Sequence, residues 1–182
     1  MIDEYFGTWR GLVRLGLAHG QMWSGRSAIL SPNPAQISRL VFVCHGNICR
    51  SAFADVLAKT LGLRSASFGL STSSGQAAHE PASKAAIARG VDLSAHRTLR
   101  VEEFRPARGD LLLAMEVRQL HRLAATPALK EVPRSLLGLW AKPPIPHLHD
   151  PYQLDERYMK VCLARIQEAV INLATAFPGV KI

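Results

Sequence analysis

Cys44 and Arg50 stand six positions apart, joined by His45-Gly-Asn-Ile-Cys49 and followed by Ser51. Read as chemistry, this is a nucleophile and a phosphate ligand on one short loop. A helix N-terminus and a neighbouring arginine both favour the thiolate of a cysteine, and the thiolate is the form that attacks. Arg50 offers a planar fork suited to two phosphoryl oxygens. Gly46 lets the backbone approach an anion closely, and Asn47 tolerates the left-handed dihedrals that curl a loop. Ser51 is placed to donate to the sulfur and ease its departure. Cys44 alone would read as a core cysteine; the company of Gly46, Asn47, Arg50 and Ser51 favours function.

An attack on phosphorus also needs a proton for the departing oxygen. Asp150-Pro151-Tyr152, late in the chain, supplies a carboxyl on a turn that Pro151 stiffens. The same Asp150, once deprotonated, can serve as base for the attacking water. An Asp-Pro pair is also an ordinary turn signal; its position after the Cys44 loop is what favours the acid role. Tyr152 offers a ring for stacking, with His45 and Ile48 as the opposite rim. An aryl phosphate is therefore the expected ester.

The elements that must hold these residues can be read around them. Leu40–Val43 is a short apolar run of the kind buried parallel strands show. Ser51–Thr60 reads as a helix with Phe53, Val56 and Leu57 on one face. The loop thus lies where a strand hands over to a helix, at the end of a sheet where ligands bind, with helix amides available to an anion. The alternation continues with a strand over Arg64–Phe68, a loop Gly69–Gly75 and a helix from Pro81 to Gly90, opened by proline and closed by glycine. A strand over Asp110–Met115, a helix over Glu116–Ala124 and a fourth strand over Leu136–Trp140 follow. A proline-rich loop, Lys142–Pro151, precedes a last helix from about Asp155 to Phe177. Such alternation predicts an α/β fold with a parallel sheet covered by helices.

Residues 1–38 read as an N-terminal helical extension and linker, leaving 39–182 as one domain. Tyr5, Phe6, Trp9, Leu12, Val13 and Leu17 recur at helical spacing. Gly7, Gly11, Gly16 and Gly20 weaken that helix, and Ser31-Pro-Asn-Pro34 reads as the linker. The aromatic stretch is expected to pack on the domain or a partner rather than enter a membrane.

Of the 182 residues 48% are hydrophobic, and the formal net charge is +8. The basic balance favours anionic partners, but the charge is scattered, so nucleic acid is not expected. Three cysteines, Cys44, Cys49 and Cys162, are too few for a disulfide framework. With no secretory pattern and no run of 18 apolar residues, a cytoplasmic location is expected. His147 and His149 lack further clear ligands, so neither a metal nor another cofactor is expected.

Cys-x-Gly-Asn-x-Cys-Arg-Ser near the start of a domain, with a late Asp-Pro-Tyr, resembles the low-molecular-weight protein tyrosine phosphatases. Ser67-Phe-Gly69, Gly90-Val-Asp-Leu-Ser-Ala-His-Arg97 and Asp110-Leu-Leu-Leu-Ala-Met115 are similar to further landmarks of that family. The resemblance implies a three-layer αβα sandwich around a four-stranded parallel sheet. It implies Cys44 as nucleophile, Arg50 as phosphate ligand and Asp150 as general acid. It also implies Cys49 as a partner that can trap oxidised Cys44 as a disulfide. Asn47, Ser67 and His96 are implied as a hydrogen-bond network beneath the loop. The implied substrate is a phosphotyrosine protein, with a bacterial tyrosine kinase of polysaccharide export as one candidate. The chain departs from the family pattern at Ala52, where proline is common, at His45, at Gln153 and in the absence of an aromatic from Gly69–Gly75. Ala52 suits a helix start and should cost little; the other departures bear on substrate choice. Two other readings share the loop. An arsenate reductase would need a cysteine relay, yet no cysteine lies between Arg50 and Val161. A non-catalytic phosphate-binding module would need neither Cys44 nor Asp150.

Overall fold

The computed structural model describes residues 2–182. Its centre is β1 (Arg39–Cys44), flanked in a parallel sheet by β2 (Ser65–Gly69) on one side and β3 (Asp110–Ala114) on the other. The fourth strand, β4 (Arg134–Leu136), pairs parallel with β3, giving the order β2-β1-β3-β4. Because successive side chains of a strand point to opposite faces, β1 divides its residues between two cores. Leu40, Phe42 and Cys44 enter one, and Val41 and Val43 the other. β3 divides likewise, Leu111 and Leu113 against Leu112 and Ala114. Both faces are therefore apolar, as the continuous hydrophobic runs require.

One face is covered by α3 (Arg50–Thr60), α4 (Glu80–Ile87) and the long α6 (Glu156–Ala176), through residues such as Phe53, Ala86 and Ile166. The other is covered by α5 (Val117–Ala125), through Val117, Leu120 and Leu123. The result is the expected αβα sandwich. Caps follow sequence signals: Asp155 accepts from the Arg157 amide at the start of α6, and Pro81 stands in the first turn of α4.

The fourth strand differs from expectation. It occupies Arg134–Leu136, and Leu137–Trp140 is a 3₁₀ turn. The apolar character of Leu136–Trp140 reflects packing of a turn, with Leu137 in the core below the sheet. Gly138 makes the turn possible, because its carbonyl accepts from both the Ala141 and Ile145 amides and a Cβ there would be driven into the Ile145 carbonyl.

The N-terminal segment forms two helices, α1 (Ile2–Phe6) and α2 (Trp9–Trp23). They break at Gly7, whose φ is +77° and whose missing Cβ leaves room for Tyr158, His149 and Leu154. Arg165 donates to the Tyr5 carbonyl at 2.7 Å, and Ala18 on the inner side of α2 joins the core of Val41 and Val43. Further along, Leu30 and Arg134 exchange backbone hydrogen bonds in an antiparallel bridge of 3.0 and 2.9 Å.

Two glycines should respond oppositely to alanine. Gly138→Ala meets a carbonyl that cannot move aside and should lower stability by about 2 kcal/mol or more, read as an earlier urea midpoint. Gly20→Ala, in the interior of α2 with nothing within 4 Å, should raise stability by up to about 1 kcal/mol.

Candidate active site

Cys44 is the last residue of β1 and Arg50 the first of α3, so the loop between them must turn a strand into a helix within five residues. Asn47 accomplishes this with φ +56°. Four donors from outside take up the carbonyls along the loop. Leu70 N donates to Cys44 O (3.0 Å), Ser71 N to His45 O (2.9 Å) and His79 N to Ile48 O (2.9 Å). The His96 ring, through Nε2, bonds the Asn47 carbonyl at 2.7 Å. A carbonyl and the amide that follows it point to opposite sides of one planar unit. Pulling these four carbonyls outward therefore turns the amides of residues 45, 46, 48 and 49 inward. None of those four amides has a backbone acceptor among the described residues. The loop is a cradle of N–H groups at the head of a helix, which is a site for an anion.

Side chains support the cradle from below. Asn47 Oδ1 accepts from the Leu99 amide (3.0 Å), which leaves its Nδ2 to donate to Ser51 Oγ (2.8 Å) and Ser67 Oγ (3.0 Å). With a lone pair of Ser51 Oγ occupied, its proton is free for Cys44 Sγ, 2.9 Å away. The Asn47 amide also donates to Sγ, at 3.2 Å. Ser67 passes its own proton to Asp55 Oδ2 at 3.1 Å. Asp55 is buried, also accepts from Ser65 Oγ at 2.7 Å, and pairs with Lys59. Ser67 and His96 thus both bond Asn47 beneath the loop, and Asp55 joins them.

Arg50 is buried to 1% exposure. Nη1 donates to Glu116 Oε1 and to the Leu148 carbonyl, each at 2.8 Å, and Nη2 lies 2.6 Å from Asp150 Oδ2. Nε is buried without a partner among the described residues. One corner of the guanidinium is therefore pinned, Nη2 is held by Asp150, and Nε is left without a protein partner. Burial works against the charge on Arg50, but the Asp150 and Glu116 carboxylates outweigh it and raise its pKa. Burial likewise opposes charge on Glu116, and the Arg50 guanidinium, helped by Arg118, still holds it down to about 2. Cys49, beside this group, has its pKa raised, first by burial and then by Cys44 and Asp150. Cys44, Cys49 and Cys162 are all free thiols.

Cys44, Arg50, Asp150 and Tyr152 line one cavity of about 500 Å³. His45 is exposed at its mouth, and Gly46 and Ile48 are half-buried along the cradle. Tyr152 packs its ring 4.8 Å from that of His79. The side formed by Ser71, Thr72 and Ser73 has no aromatic, as the sequence anticipates. Gly69 closes the floor: a Cβ there would lie 2.7 Å from Thr72 Cγ2 and 3.0 Å from the His45 carbonyl.

Three contributors were not anticipated. Asp55 stands one helical turn after Ser51, hence on the same face, and that spacing is a signal for it. Glu116 follows the carboxyl end of β3, where α/β sheets place their ligands, and its charge at that end could have marked it. His79 carries no local signal, because its contacts with Ile48 and Tyr152 arise only from folding. His147 and His149, rings 5.6 Å apart, sit behind the Arg50 and Asp150 segment, with Thr8 Oγ1 3.3 Å from His149 Nε2. Among the described residues no group of three His, Cys, Asp or Glu gathers to hold a metal.

Glu116→Ala removes one member of a buried ion pair, which typically costs about 3–5 kcal/mol. Its urea midpoint should fall and its kcat/KM should drop, because Nη1 would keep only the Leu148 carbonyl. Unchanged stability would contradict the pairing.

Acid should also destabilise the fold in two stages. Burial lowers His147 from 6.5 to about 4 against the opposing charge of Glu116. Between those values the unfolded chain binds the extra proton, so stability falls as pH drops through that window. The contribution of Glu116 is present above 4.5 and is lost as pH falls toward about 2. Melting temperatures between pH 7 and 4 should decline, and His147→Asn should flatten the decline above pH 4.

The family described as "Low molecular weight phosphotyrosine protein phosphatase" matches residues 39–179. The "Low molecular weight protein-tyrosine-phosphatase Ptp" of Acinetobacter johnsonii is 32% identical over 141 residues, 75% of this chain and 96% of that protein. The "Probable low molecular weight protein-tyrosine-phosphatase EpsP" of Ralstonia solanacearum is 31% identical over 136 residues, 74% of this chain and 92% of that one. The crystal structure of the Erwinia amylovora tyrosine phosphatase amsI superimposes with a TM-score of 0.66 at 25% identity, covering 78% of this chain and 93% of that one. The matched region begins with β1, contains the cradle and Asp150, and leaves α1 and α2 outside it. On that extent of match, with a cysteine and an arginine at the two ends of the cradle, the chain belongs to the low-molecular-weight phosphotyrosine protein phosphatases, a family of enzymes.

Proposed function

We propose that this protein hydrolyses phosphotyrosine in a phosphoprotein through a cysteinyl-phosphate intermediate. The observation that carries the reading is the opening of three groups onto one cavity: the Cys44 sulfur, the Arg50 guanidinium with its unpartnered Nε, and the Asp150 carboxyl that holds Nη2. In this reading the phosphoryl oxygens settle on the inward amides and on the Nε–Nη2 edge of Arg50. Their arrival competes with Asp150 for Nη2 and turns its carboxyl toward the ester oxygen. Cys44 Sγ attacks phosphorus, the P–O bond to the aryl group breaks, and protonated Asp150 supplies the proton to the departing oxygen. Asp150, now a carboxylate, takes a proton from water. The water oxygen attacks phosphorus, the S–P bond breaks, and Ser51 Oγ donates to the departing thiolate. Phosphate leaves, and the thiolate and protonated Asp150 are restored.

The ring of Tyr152 against His79 favours an aryl ester, since an offset aromatic contact is worth about 0.5–1.5 kcal/mol. The polar wall of Ser71, Thr72 and Ser73 leaves the opposite side open. An arsenate relay is disfavoured, because the third cysteine, Cys162, is fully buried in α6. We assign the catalytic unit to residues 39–182 and treat residues 1–38 as an addition to it. For the physiological substrate we favour a bacterial tyrosine kinase of polysaccharide export. This rests on the family resemblance. A cytoplasmic site of action accompanies that reading; no described helix is long and apolar enough to cross a membrane.

Matched phosphotyrosine and phosphoserine peptides test the substrate, and phosphotyrosine should have the higher kcat/KM. Cys44→Ser should be inert toward both yet still bind vanadate. Asp150→Ala should lose about 10²–10⁴-fold in kcat, most for poor leaving groups and least for activated esters. Equal kcat/KM for the two peptides would overturn the tyrosine assignment, and an equal loss across leaving groups would overturn the acid role.

A further inference from the structure

The inner side of α2 is accounted for by packing, but its outer side is not. Trp9, Leu12, Val13, Gly16, Leu17, Gly20 and Trp23 recur at the spacing of one helical face, and all seven are exposed. Trp23 is 94% exposed and Trp9 and Leu17 63% each. Tyr5 of α1 is exposed as well. Two of the three tryptophans in the chain therefore stand in solvent, one at each end of a single helix.

The charged residues of α2 itself all have one sign. No acidic residue occurs between Glu4 and Asp55, while Arg10 and Arg26 lie exposed at the two ends of α2 and Arg14 is half-buried beside it. Arg10 sits over the Trp9 ring at 5.7 Å. An apolar stripe with tryptophan at its ends and arginine at its margin is the composition of a helix lying in a lipid interface.

We infer that the outer face of α2 docks this protein on an anionic lipid surface, lying in the headgroup layer without crossing it. A second copy fits less well. The stripe on a 15-residue helix offers about 250 Å² from its length and width, against about 800 Å² per partner in a stable interface. Two-fold pairing would also bring the arginines of two +8 chains together, whereas anionic headgroups neutralise them. None of the outer-face residues lines the cavity of Cys44, so docking and catalysis are separable.

Co-sedimentation of the full-length protein with phosphatidylglycerol-containing vesicles tests this, with pure phosphatidylcholine vesicles as the comparison. The protein should partition onto the anionic vesicles, less so at high salt, with a blue shift in tryptophan emission. The Val13→Glu, Trp23→Glu double variant should lose about tenfold or more in partitioning while hydrolysing p-nitrophenyl phosphate at the wild-type rate. Absence of partitioning, equal partitioning by the variant, or equal binding to both vesicle types would overturn the inference. So would a concentration-dependent dimer that Leu17→Glu converts to monomer, since the face would then serve self-association.

Discussion

A guanidinium with 1% exposure must have its charge answered from inside the fold. Arg50 draws its answers from three separate places: Glu116 just past β3, the Leu148 carbonyl, and Asp150 on the segment before α6. Those segments are distant in the chain, and the sheet order brings them to one end. Because β1 and β3 are neighbours, the residues that follow them open side by side, which sets Glu116 against the start of α3. The pairing is thus a constraint on the whole arrangement. It fixes one corner of the fork, leaves Nε without a protein partner among the described residues, and holds the acid candidate at Nη2 within reach of the phosphate site.

The cradle obeys a comparable rule. A loop of amides cannot turn inward unless its carbonyls have somewhere else to go. The loop after β2 supplies Leu70 and Ser71, the approach to α4 supplies His79, and the segment before residue 100 supplies His96 and the Leu99 amide. Asn47 stands at the centre, committing its carbonyl, its amide and both ends of its side chain. No other residue type combines an αL backbone with a side chain that both donates and accepts at that length. The loop is consequently held by the rest of the sandwich as much as by its own sequence.

This division explains what could be read in advance. Cys44, Asn47, Arg50 and Ser51 lie within eight residues, so their relation is local and visible. The continuous apolar runs of β1 and β3 and the punctuation at Pro81 and Asp155 marked their elements to within one residue, while α4 ends at Ile87, three residues short of Gly90. β4 was misplaced because Leu136–Trp140 is apolar for a different reason, the packing of a tight turn on Ile145. A three-residue strand leaves little periodicity to detect. Glu116 and His79 escaped notice because their partners are 66 and 31 positions away in the chain. Pairings at that range depend on which strands become neighbours, and only the fold decides that.

The antiparallel bridge between Leu30 and Arg134 has a meaning beyond attachment. β4 is one of the two outermost strands, and an outermost strand presents unpaired amides and carbonyls that invite another chain to add on. The segment before residue 31 occupies that position, and Arg134 reinforces it by donating from Nε to the Ala28 carbonyl at 2.8 Å. A shortened chain beginning at Arg39 would keep the cradle and the acid loop yet expose a bare sheet margin together with the core side chains that Ala18 and Met22 now cover. Its failing would be one of solubility, with intermolecular strand pairing in place of the lost bridge. The stretch that carries Ala28 and Leu30 therefore guards this border of the sheet.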